Sequence, residues 1–216
     1  AMTHAFADIA FTPSVKAAQQ SEGSRAGYAR AFESDAGEVS HRELGPDEAA
    51  FSAEQRSIVM ATVSETGWPY VQHRGGPKGF LKPLDERRIA FADFAGNRQL
   101  VSLGNLAHND RVALLLIDYA HRVRLKILGR LSVAAFDARD PAHAALLEPG
   151  YAAKPQRVFT ITVEAFDWNC PQHIPVRLDA EDVQAALDVR DARIAELEAR
   201  LAAETPPRQR NSPSSR

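Results

Sequence analysis

Two arginines in unusual local settings are the residues of this sequence best suited to chemistry. The segment WPYVQHRGGPKGFLKPLDERRIAFADFAGNRQLVSLGN spans Trp68 to Asn105. It places Arg74 at the end of a strand-like run, directly before Gly75 and Gly76, where backbone can approach a ligand closely. It also places Asn97, Arg98 and Gln99 at what reads as the first turn of a helix. Backbone amides at a helix start, with a guanidinium beside them, suit a phosphate. If the two arginines converge, they bind a phosphorylated small molecule. Other chemistries find less support. Cys170 and His173 have the spacing C-x-x-H but supply only two ligands, and His108, His121 and His143 show no carboxylate–histidine pattern, so no metal site is expected. Cys170 reads as a packed side chain rather than a nucleophile. No G-x-G-x-x-G or Walker pattern occurs, which gives a Rossmann or P-loop nucleotide site no support. No residue stands out as a catalytic acid, base or nucleophile.

These candidates must be positioned by a scaffold, and the hydrophobic period describes one. Six runs read as strands: Ser57–Val63, Pro69–Arg74, Arg88–Asp93, Arg111–Asp118, Arg122–Ala134 and Arg157–Ala165. Glu65-Thr66-Gly67 is a hairpin turn. Arg111–Asp118 is apolar enough for burial on both faces, and Gly129 marks a bend or bulge. A helix is expected from Gly96-Asn97 to about Ala107, another from Asp140-Pro141 to about Leu147, and a capping box at Ser52-Ala53-Glu54-Gln55. Before the strands, residues 1–12 read as disordered or loosely attached and Pro13–Arg30 as a helix pair broken at Gly23-Ser24. After them, Asp179–Glu204 is helical throughout. There Val183, Leu187, Ile194, Leu197 and Leu201 fall at heptad spacing, with Arg190 in the intervening seam position. That helix either packs on its own barrel or stabilises a dimer. Residues 205–216 read as a disordered tail. The expected architecture is mainly β, a six-stranded antiparallel split barrel with helices. The expected divisions are an N-terminal helical extension (1–50), the barrel (51–178), the long C-terminal helix (179–204) and the tail (205–216).

Bulk composition agrees with this picture. A chain of 216 residues with 44% hydrophobic and 25% charged residues can bury a substantial core. The net charge of −2 and dispersed basic residues argue against nucleic acid or a membrane surface as partner. No apolar run is long enough to span a bilayer and no basic-then-apolar signal segment opens the sequence. The single cysteine excludes an internal disulfide and fits a reducing, cytoplasmic setting.

The order WPYVQHRGG…FADFAGNRQ…LGNLAHNDRVALLL…RLKILGR, followed by Trp168, resembles the pyridoxamine 5′-phosphate oxidase-related, FMN-binding split-barrel family, over about Phe51 to Arg177. The resemblance implies an FMN-dependent oxidoreductase fold, with the cofactor at a homodimer interface. By that likeness Gln72, His73 and Arg74 would line the ring and ribityl side. Asp93 and Phe94 would flank the cofactor, and Asn97, Arg98 and Gln99 would hold its phosphate. Arg124 would reach it from the second subunit, and Trp168 would lie near the flavin. The chain departs from the oxidases in two places. Their serine-arginine-lysine phosphate motif is Asn97-Arg98-Gln99 here, one positive charge short, with Arg74 or Lys78 available to compensate. Their substrate motif after the tryptophan is replaced by NCPQHIPVR, residues 169–177. The likeness therefore carries the flavin and not the vitamin B6 substrate. A non-catalytic flavin- or haem-sequestering protein, and a deazaflavin-dependent reductase, are the alternatives on the same barrel. The extension with Gln19, Gly23, Ser24, Arg25 and Tyr28 is a candidate cover for a substrate pocket.

Overall fold

A computed structural model describes residues 4–33, 40–169 and 171–204. The chain divides into two compact units, residues 1–174 and 175–216. In the first, seven strands form one fully antiparallel sheet: β1 (Ser57–Val63), β2 (Pro69–Gly75), β3 (Lys82–Asp85), β4 (Arg88–Phe94), β5 (Arg111–Asp118), β6 (Val123–Ala135) and β7 (Pro155–Asn169). All six expected strands are present. The seventh, β3, is four residues long and contains Pro83, which hides it from a pattern reading.

The order across the sheet is β2-β1-β5-β6-β7-β4-β3. Its inner face buries Ile58 and Met60 of β1, Ile89 and Phe91 of β4, Leu114 and Leu116 of β5, Leu125 and Ile127 of β6, and Phe159 and Ile161 of β7 in one cluster. A single core fed by both ends of the strand order means the sheet is curled on itself, the mainly β split barrel with helices that the pattern implies. The two ends are not joined by a ladder. Side chains bridge the seam between β2 and the strand next to the other end: Arg74 of β2 reaches Asp93 of β4 at 2.7 Å. Curling is helped by the register shift between Leu128 and Gly129, where a Cβ on Gly129 would lie 2.6 Å from the Thr162 carbonyl oxygen of β7. Strand β5 alternates buried and half-buried residues instead of burying both faces. It is β4 that is buried on both sides, because Ala90 and Ala92 form a second small cluster with Leu146 and with Val158 of the neighbouring strand β7.

Seven helices accompany the sheet among the described residues: α1 (Ala5–Ala10), α2 (Pro13–Ser21), α3 (Arg25–Phe32), α4 (Pro46–Ala53), α5 (Val101–Leu106), α6 (Pro141–Ala144) and α7 (Ala180–Glu204). Several differ from expectation. Residues 4–10 are anchored, with His4, Ala5 and Ala7 buried. Ser52 lies in the last turn of α4 instead of capping a helix. The capping contact lies earlier, where Glu48 Oε2 accepts the Gly45 amide at 2.9 Å and Pro46 opens the helix. Helix α6 stops at Ala144. The tail beyond Glu204 lies outside the described residues, as does Cys170. The second unit's described part contains α7, which has no buried residue.

The anchoring of the N-terminus carries a pH dependence. His4 stacks on His41 at 3.8 Å and lies against Phe32. Its Nδ1 is enclosed without a hydrogen-bond partner. Its Nε2 is 4.0 Å from Asp167, whose other oxygen is held by Lys126 at 2.7 Å. Burial, reinforced by His41 and opposed by Asp167, lowers the His4 pKa from 6.5 to about 4. A lowered histidine pKa means the unfolded chain takes up a proton before the folded one does. The stability associated with neutral His4 is therefore present above pH 6.5 and is lost as pH falls toward 4. Urea midpoints at pH 7 and pH 4.5 should differ less for His4→Phe than for the parent; an unchanged difference would remove His4 as the cause.

Candidate functional site

The cleft at the open seam of the barrel gathers most of the residues singled out in the sequence. It encloses about 440 Å³, counting the part open to solvent. Its polar wall is Gln72, Arg74, Asp93, Asn97, Arg98, Gln99 and Arg157, and Phe94 and Phe159 supply apolar surface. Pairing explains the first two. On β2, Gln72 and Arg74 oppose Met60 and Ile58 of β1, both fully buried, so they share the inward face. His73, opposite Val59, lies on the other face and edges a neighbouring hollow with Arg74, Gly75, Asp93 and Phe94.

Three side chains lock together at the seam. Arg74 Nη1 donates to Asp93 Oδ1 at 2.7 Å, and Arg157 Nη1 donates to Asp93 Oδ2 at 3.2 Å. The guanidinium of Arg74 lies 5.0 Å above the Phe159 ring. Its Nε is enclosed and has no hydrogen-bond partner. Burial lowers the Arg74 pKa below the ordinary arginine value, Arg157 adds to that, and Asp93 opposes it; the group stays charged at neutral pH. Arg157 faces Asp93 directly across the β4–β7 ladder. The cleft thus carries three arginines against one aspartate, a net of two positive charges.

The segment with Asn97, Arg98 and Gln99 is a loop, and the helix begins only at Val101. Asn97 Oδ1 accepts the Gln99 amide at 3.1 Å, a local turn that competes with helix formation. Arg98 (φ 59°) and Leu100 (φ 58°) are both left-handed, a conformation that costs a non-glycine residue roughly 1 kcal/mol or more. A six-residue helix with this entry gives no helix-terminus phosphate site, so any anion must be held by the loop's side chains and its arginine. Arg98 is exposed on the cleft and makes no ion pair among the described residues. Helix α5 is pinned behind the loop by two hydrogen bonds. Ser102 Oγ donates to Gln72 Oε1 at 3.0 Å, and Asn105 Nδ2 donates to Thr62 Oγ1 at 2.9 Å. The first leaves the Gln72 amide nitrogen as the group turned to other partners.

Several expected contributors lie elsewhere. Trp168 donates through Nε1 to Glu48 at 2.6 Å and packs edge-on to Phe51, which docks α4 on β7. Arg124 stands on β6 between Ile117 and Asn169, on the face opposite the buried Leu125 and Ile127; its Nε is enclosed without a partner. Neither lines the cleft. Lys78 pairs with Glu54. Gly75 and Gly76 serve the chain's own packing. A Cβ on Gly76 would sit 2.7 Å from Phe80 Cβ, and one on Gly75 would sit 3.2 Å from the Arg56 carbonyl oxygen. In the N-terminal extension Tyr28 packs on Phe11 and Phe32, and Arg25 pairs with Glu33, all outside the cleft. Sequence reasoning missed Arg157, Gln156 and Phe159. Only the β4–β7 register, which sets Arg157 against Asp93 and Phe159 against Phe91, reveals them.

The family model described as pyridoxamine 5′-phosphate oxidase matches residues 44–170, more than half of the chain and all seven strands of the barrel. The chain belongs to the pyridoxamine 5′-phosphate oxidase family. Both the cleft and its loop lie within the matched residues. No curated protein sequence matches it. Solved structures similar to it include Group A Streptococcus HupZ, with 14% identity, 62% of this chain and 100% of that chain covered, and TM-score 0.47. A putative pyridoxamine 5′-phosphate oxidase from Lactobacillus delbrueckii has 18% identity, coverage of 60% and 97%, and TM-score 0.45. An FMN-binding protein from Syntrophomonas wolfei has 9% identity, coverage of 56% and 81%, and TM-score 0.41. No helix among the described residues is long and apolar enough to cross a membrane, and no group of metal-ligating side chains occurs among them.

Proposed function

We propose that this chain binds FMN in the seam cleft and acts as an FMN-dependent oxidoreductase of the pyridoxamine 5′-phosphate oxidase family. The observation that carries the reading is the excess of two positive charges at a cleft that also offers apolar ring surface. A phosphate monoester brings about −1.5 to −2 charges, which this excess complements. The residues fit the group. Arg98, with Asn97 and Gln99, would hold the phosphate. The amide nitrogen of Gln72, fixed by Ser102, would donate to a ring carbonyl. Phe94 and the guanidinium of Arg74 would complete the wall. When bound, FMN supplies the hydride- and electron-accepting chemistry. The chain's own residues bind and orient. The cleft's one carboxylate, Asp93, has both oxygens engaged by arginines.

In this reading Arg124, Trp168 and His73 act at the cleft of a second copy or at its mouth, which is the homodimer arrangement the sequence suggests. Cytoplasmic location remains part of the proposal.

Titration of the cofactor-free protein with FMN, riboflavin and a deazaflavin tests it. FMN should bind about 30-fold or more tighter than riboflavin, because charge-assisted phosphate contacts contribute roughly 2–3 kcal/mol. Reduction of the bound flavin by NADH or NADPH, with reoxidation by an acceptor, separates turnover from sequestration. Equal affinity for FMN and riboflavin, or tighter binding of the deazaflavin, would overturn the assignment.

A further inference from the structure

Helix α7 is 25 residues long, roughly 37 Å at the usual rise per residue. Its apolar side chains keep heptad spacing. Leu187, Ile194 and Leu201 take one seam position (a), and Val183, Arg190 and Leu197 take the other (d). None of these is buried: Val183 is 40% exposed, Leu187 38%, Ile194 47% and Leu197 41%. A stripe of this kind on a helix of three heptads is the surface that a partner helix covers.

The charges beside the stripe identify the partner and its direction. Asp191 and Glu198 flank it on one side (e), and Arg193 and Arg200 on the other (g). In a parallel, in-register pair of identical helices, the g residue of one faces the e residue of the next heptad on the other. Arg193 then meets Glu198 of the second copy, twice by symmetry. Arg190 meets Arg190 of the second copy in the d layer, and the Asp191 of the opposite copy beside each of them offsets that pair of charges. An antiparallel pair instead sets g against g and e against e. Arg193 would face Arg193 and Asp191 would face Asp191, while Arg190 would sit against Ile194. Like charges opposed in this way are destabilising.

We infer that α7 forms a parallel, in-register two-stranded coiled coil with α7 of a second copy of this chain, its direction set by Arg193–Glu198 and Arg190–Asp191 pairs between copies. This surface lies outside the family match, which ends at residue 170. It stands independently of the flavin reading: it needs no cofactor, and its test is run without one.

The test is disulfide trapping in the full chain on a Cys170→Ser background, which removes the only native thiol. Leu197 meets its own copy in the parallel pair, whereas in the antiparallel pair it meets Leu187. Ala192 points away from the seam in both. Leu197→Cys should cross-link at least about ten-fold faster than Ala192→Cys, because the seam fixes a high effective concentration. Arg193→Glu should slow trapping at 197, and adding Glu198→Arg should restore it. Circular dichroism of each variant checks that the barrel is folded. Equal rates at 197 and 192 would overturn the inference, since the helix then packs elsewhere. Faster trapping in a mixture of Leu187→Cys and Leu197→Cys chains would also overturn it, in favour of the antiparallel pair. So would failure of the charge swap to rescue.

Discussion

Arg98→Ala should weaken FMN binding about 30- to 150-fold while leaving riboflavin affinity unchanged, because the residue contributes roughly 2–3 kcal/mol to the phosphate alone. The cation is exposed on the cleft and makes no ion pair among the described residues, so no internal contact is lost. The backbone at this position is left-handed at φ 59°, and alanine keeps the Cβ that makes it costly. Stability without cofactor should therefore change by less than about 0.5 kcal/mol. At an FMN concentration about a hundred times the parent dissociation constant, mass action stabilises the parent by about 2.7 kcal/mol and the variant by only about 0.3–0.9 kcal/mol. Thermal shifts with FMN and with riboflavin measure both. Arg139→Ala is the control, since Arg139 is exposed and pairs with Asp137 outside the cleft. An FMN-specific loss in that control as large as in Arg98→Ala, or a parallel loss of riboflavin binding in Arg98→Ala, would take the phosphate away from this loop.

Asp93→Ala should be the most destabilising single change at the site. Asp93 is 12% exposed and holds Arg74 and Arg157, which are 16% and 24% exposed. Removing it leaves two guanidinium groups facing each other across the seam, one of them already with an unsatisfied Nε. Breaking a well-buried pair from one side costs about 3–5 kcal/mol; partial solvent access here reduces that to about 2–3 kcal/mol. For a chain of this length the melting temperature should fall by roughly 5–10 °C. The loss has a specific origin, so it has a specific remedy. In an Arg74→Met background, where the more buried cation is gone, the same substitution should cost less than half as much. Measured by urea unfolding, an equal cost in both backgrounds would show that Asp93 does not act through Arg74.

The site was partly legible before the fold was known. Alternation on β2 and β4 turns Gln72, Arg74 and Asp93 inward and the loop after β4 adds Asn97, Arg98 and Gln99, while it was the family resemblance that named Gln72, Asp93 and Phe94. A period of two is a property of neighbouring residues and survives without any tertiary information. The helix start at Asn97 was misread for an equally local reason. Asparagine favours a helix cap and a tight turn alike, and two left-handed residues decided for the turn. The extra strand β3 and the anchoring of α1 were hidden because each is short and gains its stability from what it packs against.

By itself, the sequence determined the antiparallel strands, the break between α2 and α3, the bulge at Gly129 and the heptad stripe of α7, all of which depend on residues within a few positions of each other. The tertiary structure alone decided that Arg157 completes the cleft and that Trp168 bonds Glu48 and packs on Phe51. Each of those outcomes depends on ladder register or on curling of the sheet, which bring together residues distant along the chain. Such contacts are set by the combined burial of the whole core, and no local pattern encodes that sum.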